Sequence, residues 1–132
     1  VHQAKFSMGT VLGLIAVHGK AGLPEFHDLS LTDPAVAVFR NKVSMTLDPE
    51  VDSAYPQRWL GRVTVTTTDG RTLRGAIDEP KGDPGNTLSR AELADKFQRL
   101  AHFSGARTPT QARGLIEQVW NLRTTASMAH WL

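Results

Sequence analysis

Cysteine is absent from the 132 residues, which removes disulfides, thiolate metal sites and cysteine nucleophiles together. That usage suits a reducing compartment, and a cytoplasmic location is expected. Long apolar runs are also missing. The longest strongly apolar stretch, Met8 to Val17, is too short to span a bilayer and carries two glycines, so no membrane partner is expected. Neither sign of charge dominates: 15 Lys and Arg against 13 Asp and Glu leave a formal +2. The isoelectric point of about 9.3 looks basic, yet the signs are interspersed and no basic run tracks a phosphate backbone. A nucleic-acid partner is therefore not expected. There is no charged leader with a small-residue cleavage site, and the chain opens on Val1 rather than Met. It reads as a piece of a longer protein.

What is present is an apolar share of 40%, enough for one buried core and too little chain for a second. The first expected element is a helix from about Lys5 to Gly19. Met8, Val11, Leu12, Leu14, Ile15, Ala16 and Val17 leave it little polar surface, so it must be buried on most sides. Gly9 and Gly13 give it a smooth stripe where another backbone or a ligand can approach. A domain of this size struggles to cover such a helix alone, which points to a partner.

A helical turn is expected near Leu23 to His27. Asp33 as cap and Pro34 as first residue then open a helix through Phe39 and Asn41. Val43, Met45 and Leu47 alternate with polar residues, the period of a half-buried strand. Pro49 to Trp59, with two prolines and no clear period, reads as an irregular loop.

Val63 and Val65 alternate with polar residues before the turn Asp69-Gly70. A two-residue loop would pair Val65 with Arg74. A three-residue loop, Thr68-Asp69-Gly70, pairs Val65 with Leu73 and Val63 with Gly75 and gathers the apolar residues on one face. The bulged hairpin is therefore the expected register.

Residues 81 to 86 form a loop by composition. Ser89 with Glu92, and Leu88 with Leu93, mark the start of a helix, and Thr108, Pro109 and Gln111 mark another. Leu93, Phe97 and Leu100 share a face of the first; Ala112, Leu115, Ile116, Val119 and Trp120 follow helical spacing in the second. The order helix, helix, strand, hairpin, helix, helix indicates an α+β fold, a two-layer sandwich of helices on a small antiparallel sheet. Trp59, Trp120 and Trp131 read as packing residues.

Four stretches together resemble the carboxyl-terminal domain of the MmgE/PrpD family, over about Ala4 to Leu122. They are Ala4-Lys5-Phe6-Ser7-Met8, Leu23-Pro24-Glu25-Phe26-His27, the Val63 to Leu73 hairpin, and Lys81-Gly82-Asp83-Pro84 with Leu88-Ser89, Leu93 and Lys96-Phe97. The family includes 2-methylcitrate dehydratase, cis-aconitate decarboxylase and iminodisuccinate epimerase. The resemblance implies a lid domain facing a helical domain that precedes residue 1, and a cleft between them. It implies proton transfer next to a carboxylate of a small di- or tricarboxylic acid, with no metal and no cofactor, and a homodimer. The family's main lysine and histidine acid/base groups then lie outside this chain. Several characterised members place a tyrosine where this chain has Thr10. A threonine hydroxyl is no acid or base at neutral pH, so dehydratase, decarboxylase or epimerase activity is not carried over individually.

Candidate residues follow, each with two readings. Lys5 and Ser7 would hold a substrate carboxylate at a helix start, or Ser7 is a cap and Lys5 a solvated cation. Gly9, Thr10 and Gly13 would line the cleft, or the glycines serve close helix packing. Lys81, Gly82 and Asp83 would offer backbone N–H groups and a cation to a carboxylate, or form a plain turn. Of His2, His18, His27, His102 and His130, none has metal-ligand spacing to another. His2 alone is kept as an acid/base candidate beside Lys5 and Thr10. No Ser-His-Asp, phosphate-loop or dinucleotide pattern is present. The alternatives to an enzyme lid are a stand-alone α+β small-molecule-binding module and a dimerisation domain.

Overall fold

The computed structural model describes residues 2–127 and Ala129; His130 and Trp131 lie outside the described residues. The helices are α1 (Met8–His18), α2 (Asp28–Leu31), α3 (Pro34–Arg40), α4 (Pro49–Ala54), α5 (Arg90–Ser104) and α6 (Pro109–Trp120). Strands β1 (Gly61–Thr66) and β2 (Thr72–Ile77) form one antiparallel pair. The composition is that of an α+β chain. Two compact units divide it: Val1–Ser44 with Ala91–Leu132, and Met45–Arg90.

The first unit is organised by the pairing of α1 with α3. A 3₁₀ turn, Gln3–Phe6, leads into Ser7, and the α-helix starts only at Met8. The expected start at Lys5 is thus three residues early, because Ser7 takes the extended backbone of a cap (φ −100°, ψ 105°). A Cβ placed on Gly13 would sit 3.0 Å from the Val36 carbonyl oxygen and 3.2 Å from Val36 Cγ1. One on Gly9 would lie 3.0 Å from Arg40 Cγ. The glycine stripe therefore carries the backbone of α3. Leu14 and Val36 are the two large side chains sealed from solvent by this contact. Asp33 caps α3 through its Oδ1, which accepts the Ala35 N–H at 2.8 Å, and its Oδ2 lies 3.6 Å from His18 Nε2 at the end of α1. In the same unit α5 buries Ala101 and α6 buries Ala112. The capping box of α6 is complete: Gln111 N–H donates to Thr108 Oγ1 at 3.3 Å, and Thr108 N–H donates to Gln111 Oε1 at 2.9 Å.

Burial of α1 is only partial. Met8, Ile15 and Val17 stay 50, 45 and 37% exposed. The expectation of burial on most sides holds for Thr10, Gly13 and Leu14, not for the rest of the helix.

The second unit contains the hairpin, in the three-residue-loop register: Val63 faces Gly75 and Val65 faces Leu73. Gly70 takes φ 84°, the left-handed value that closes such a loop. The Asp69 carboxylate accepts from Arg71 Nε at 2.8 Å and from the Thr67 hydroxyl. These two donors, the hydroxyl first, hold Asp69 below the usual carboxylate range. Opposite each interior glycine lies an aliphatic chain, Val63 Cγ1 over Gly75 and Ile77 Cγ2 over Gly61.

Two expectations need correction here. Residues 43–47 form no strand. The amides of Lys42, just before them, and of Val43 are still tied back to Phe39 and Arg40 of α3, and no ladder partner exists among the described residues. Met45 and Leu47 stay 77 and 80% exposed. An alternating pattern makes a strand only with a partner to pair with. Residues 49–54, expected as loop, are helical. Asp48 caps through Oδ1 to the N–H groups of Glu50 (3.0 Å) and Val51 (3.3 Å), with Pro49 in the first turn. Tyr55 then turns extended (ψ 140°) ahead of Pro56, as the residue before a proline prefers. The two prolines are start and stop signals. Arg62 joins the first turn of α4 to the strand exit, reaching Glu50 at 3.3 Å and Asp78 at 3.4 Å.

Gly13 in α1 and Gly114 in α6 should respond oppositely to a methyl group. Gly13→Ala pushes against a buried backbone carbonyl and is expected to destabilise by about 1–3 kcal/mol. Gly114→Ala in α6 meets nothing within 4 Å and should stabilise by about 0.5–1 kcal/mol through helix propensity. Urea denaturation of both variants checks the pair of signs.

Candidate functional site

The residues ahead of α1 form the first cluster. Ser7 Oγ accepts the Thr10 N–H at 3.2 Å and the Thr10 hydroxyl at 3.0 Å. Ser7 is thus the N-cap, and Thr10, only 5% exposed, directs its hydroxyl at that cap. His2 and Phe6 meet edge to face with ring centroids 5.3 Å apart, and both are exposed. Lys5 sits exposed in the last turn of the 3₁₀ segment, and its ammonium makes no ion pair among the described residues. The sequence places His2, Lys5, Ser7 and Thr10 together because one short turn abuts one helix start. Chemically, a cation beside the positive end of a helix favours an anion. Gly9 and Gly13 present their open faces to α3, so the packing reading accounts for both.

The second cluster lies in the other unit. Gly82 has φ 110°. Its N–H donates to Asn86 O at 2.8 Å and the Asp83 N–H to Pro80 O at 3.1 Å. Asn86 Nδ2 adds a bond to Glu79 O at 3.0 Å. The two amides that would have faced a carboxylate are spent within the loop, which is a turn leading through Pro84–Asn86 toward α5. Lys81 is exposed on that turn.

A third feature escaped the sequence reading. Glu25 is 8% exposed, and its Oε2 accepts the Gly22 N–H at 2.8 Å while Oε1 lies 3.5 Å from Lys20 Nζ. Burial pushes its carboxyl up, but the Gly22 amide, the Glu25 amide and Lys20 outweigh it and hold the group below the usual range. The signal was available: Gly22 with Glu25 three residues on is half of a capping box. Among the described residues no three His, Asp or Glu side chains gather as metal ligands, and no helix is long and apolar enough to cross a membrane.

The geometry thus defines an α+β chain with an exposed lysine, Lys5, in the 3₁₀ turn that precedes α1. The comparison with family models places it further: the MmgE/PrpD C-terminal domain matches residues 1–122, and the chain belongs to that family. Neither the curated proteins nor the solved structures returned a match.

The sign of the Glu25 effect is testable. Its folded value is lowered, so its stabilisation is complete above the ordinary 4.5 and is lost as pH falls through and below that value. Glu25→Ala should cost about 1–2 kcal/mol at neutral pH by orphaning the Gly22 N–H and Lys20. Glu25→Gln should lie closer to wild type, and its deficit should shrink on acidification. Denaturant titrations from neutral pH to below 4.5 read both trends; a deficit that grows in acid contradicts the assignment.

Proposed function

We propose that this chain is the lid side of a substrate cleft in an MmgE/PrpD-type lyase or isomerase acting on a small di- or tricarboxylic acid. The observation that carries this reading is the family match over residues 1–122. On this reading the reaction is abstraction of a proton next to a carboxylate, and the enolate-like charge is held by cations and N–H donors. Lys5 supplies a cation to one substrate carboxylate, beside the start of α1. Ser7 and Thr10 fix that start rather than move a proton, since a threonine hydroxyl is no base at neutral pH. The main acid/base groups come from a helical domain of the same polypeptide, and His2 and Lys5 remain the titratable candidates of the first cluster.

Exposed area supports a partner of that kind. A folded monomer of 14.4 kDa exposes about 6,800 Å², and two free globules sized as the two units about 8,200 Å². This chain exposes 10514 Å². The surplus of about 2,300 Å² matches one side of a large obligate interface. A helical domain and a second copy of the chain, as in a homodimer, are both covers of suitable size.

The reaction is tested by proton NMR in deuterated buffer with citrate-, methylcitrate-, aconitate- and aspartate-like acids. The chain is assayed alone and joined to an MmgE/PrpD helical domain. Exchange or turnover is expected from the joined form only, and Lys5→Gln should lower its kcat/KM by about 10- to 100-fold, the worth of one charged hydrogen bond. Silence of both forms on every acid would sink the reading. Turnover by the chain alone would move the acid/base groups into it.

A further inference from the structure

The first unit carries a hollow of about 680 Å³ whose lining includes none of the residues assigned above to substrate. Three separate stretches build it: residues 20–25 after α1, the second half of α5, and the connection from Arg107 into α6. Its volume falls in the usual range for small-molecule sites. Leu23, Leu100, Phe103 and Ala112 supply apolar wall. The first three remain about half exposed, because the hollow is open to solvent on that side.

The charges around it decide what it would accept. Lys20 is committed to the buried Glu25 at 3.5 Å, and Arg99 to Asp95 at 2.8 Å. Those two pairs cancel. Arg107 is left with a single long bond, Nη1 to the Ala106 carbonyl at 3.3 Å, and no carboxylate among the described residues. His102 lines the same hollow and brings one further N–H donor. One planar guanidinium fork with spare donors, set against apolar wall, matches one carboxylate on an apolar body. A di- or tricarboxylic acid fits poorly: the second negative charge would find both remaining cations already neutralised and would face Glu25 and Asp95.

We propose that this hollow is a binding site for a small monocarboxylic acid with an alkyl or aryl body, its carboxylate on Arg107 and its body against Leu100 and Phe103. The site takes a different class of acid from the substrate proposed above and stands independently of that reading.

The test titrates the 132-residue chain with hexanoate, hexan-1-ol and citrate, followed by amide NMR shifts. Hexanoate should saturate with shifts in α5, α6 and residues 20–25, and hexan-1-ol and citrate should each bind at least about tenfold more weakly. Arg107→Gln should lower hexanoate affinity about tenfold and leave hexan-1-ol unchanged, whereas Arg113→Gln, outside the lining, should leave both unchanged. Circular dichroism verifies that each variant is folded. Equal binding of hexanoate and hexan-1-ol, an Arg107→Gln variant that binds hexanoate like wild type, shifts confined to residues 2–10, or no saturation in the millimolar range would each overturn the proposal.

Discussion

The backbone of α1 lies directly on α3 because residue 13 has no Cβ. From that contact the arrangement of α1 and α3 follows. With a side chain at Gly13 the helices would stand further apart, and Leu14 and Val36 would lose the closure that removes them from water. The same approach sets Arg40 over Gly9 and brings the end of α1 beside the cap of α3, where His18 meets Asp33. It also decides which part of α1 remains open to chemistry. Its glycine face is filled by protein, while Met8, Ile15 and Val17 on its other faces stay exposed.

Elements specified by neighbouring residues were legible in the sequence. The caps at Ser7, Asp33 and Thr108 are short-range bonds between a side chain and an amide two or three residues on. The hairpin register followed from asking which pairing puts Val63, Val65 and Leu73 on one face. What failed needed information from further away. The alternation of Val43, Met45 and Leu47 is real, but whether it becomes a strand depends on a partner. Pro49 and Pro56 were read as breaks, although the first follows the same Asp-Pro pattern that opens α3. Glu25 was given no role of its own, and only the turn that brings the Gly22 N–H to its carboxylate reveals one.

The candidate site was legible to a lesser degree. Sequence proximity gathered His2, Lys5, Ser7 and Thr10; the side chains of Ser7 and Thr10 meet at the cap, and Lys5 bonds to His2 through the backbone. It could not foresee that Gly82 and Asp83 spend their amides inside their own turn. Nor could it see the hollow at Arg107, whose walls come from residues about 80 positions apart in the chain. A cation on an open surface, such as Arg74, is solvated and weakly coupled to any ligand. Arg107 is itself exposed, and what sets it apart from such a cation is the lining it shares with Leu100 and Phe103.

The apolar surface left uncovered bears on both units in the same way. Val63, Val65, Leu73 and Ile77 share one face of the hairpin and stay 41–51% exposed, and a hairpin of two strands is marginal in water without something on its apolar face. Helix α1 has the same imbalance, with Leu14 sealed and Ile15 next to it in contact with solvent. Local rules fix where these elements begin and end, but they do not supply the cover. The exposed Ile15 and Val17 on α1, and Val63, Val65, Leu73 and Ile77 on the hairpin, are therefore what any account of this C-terminal family domain has to explain.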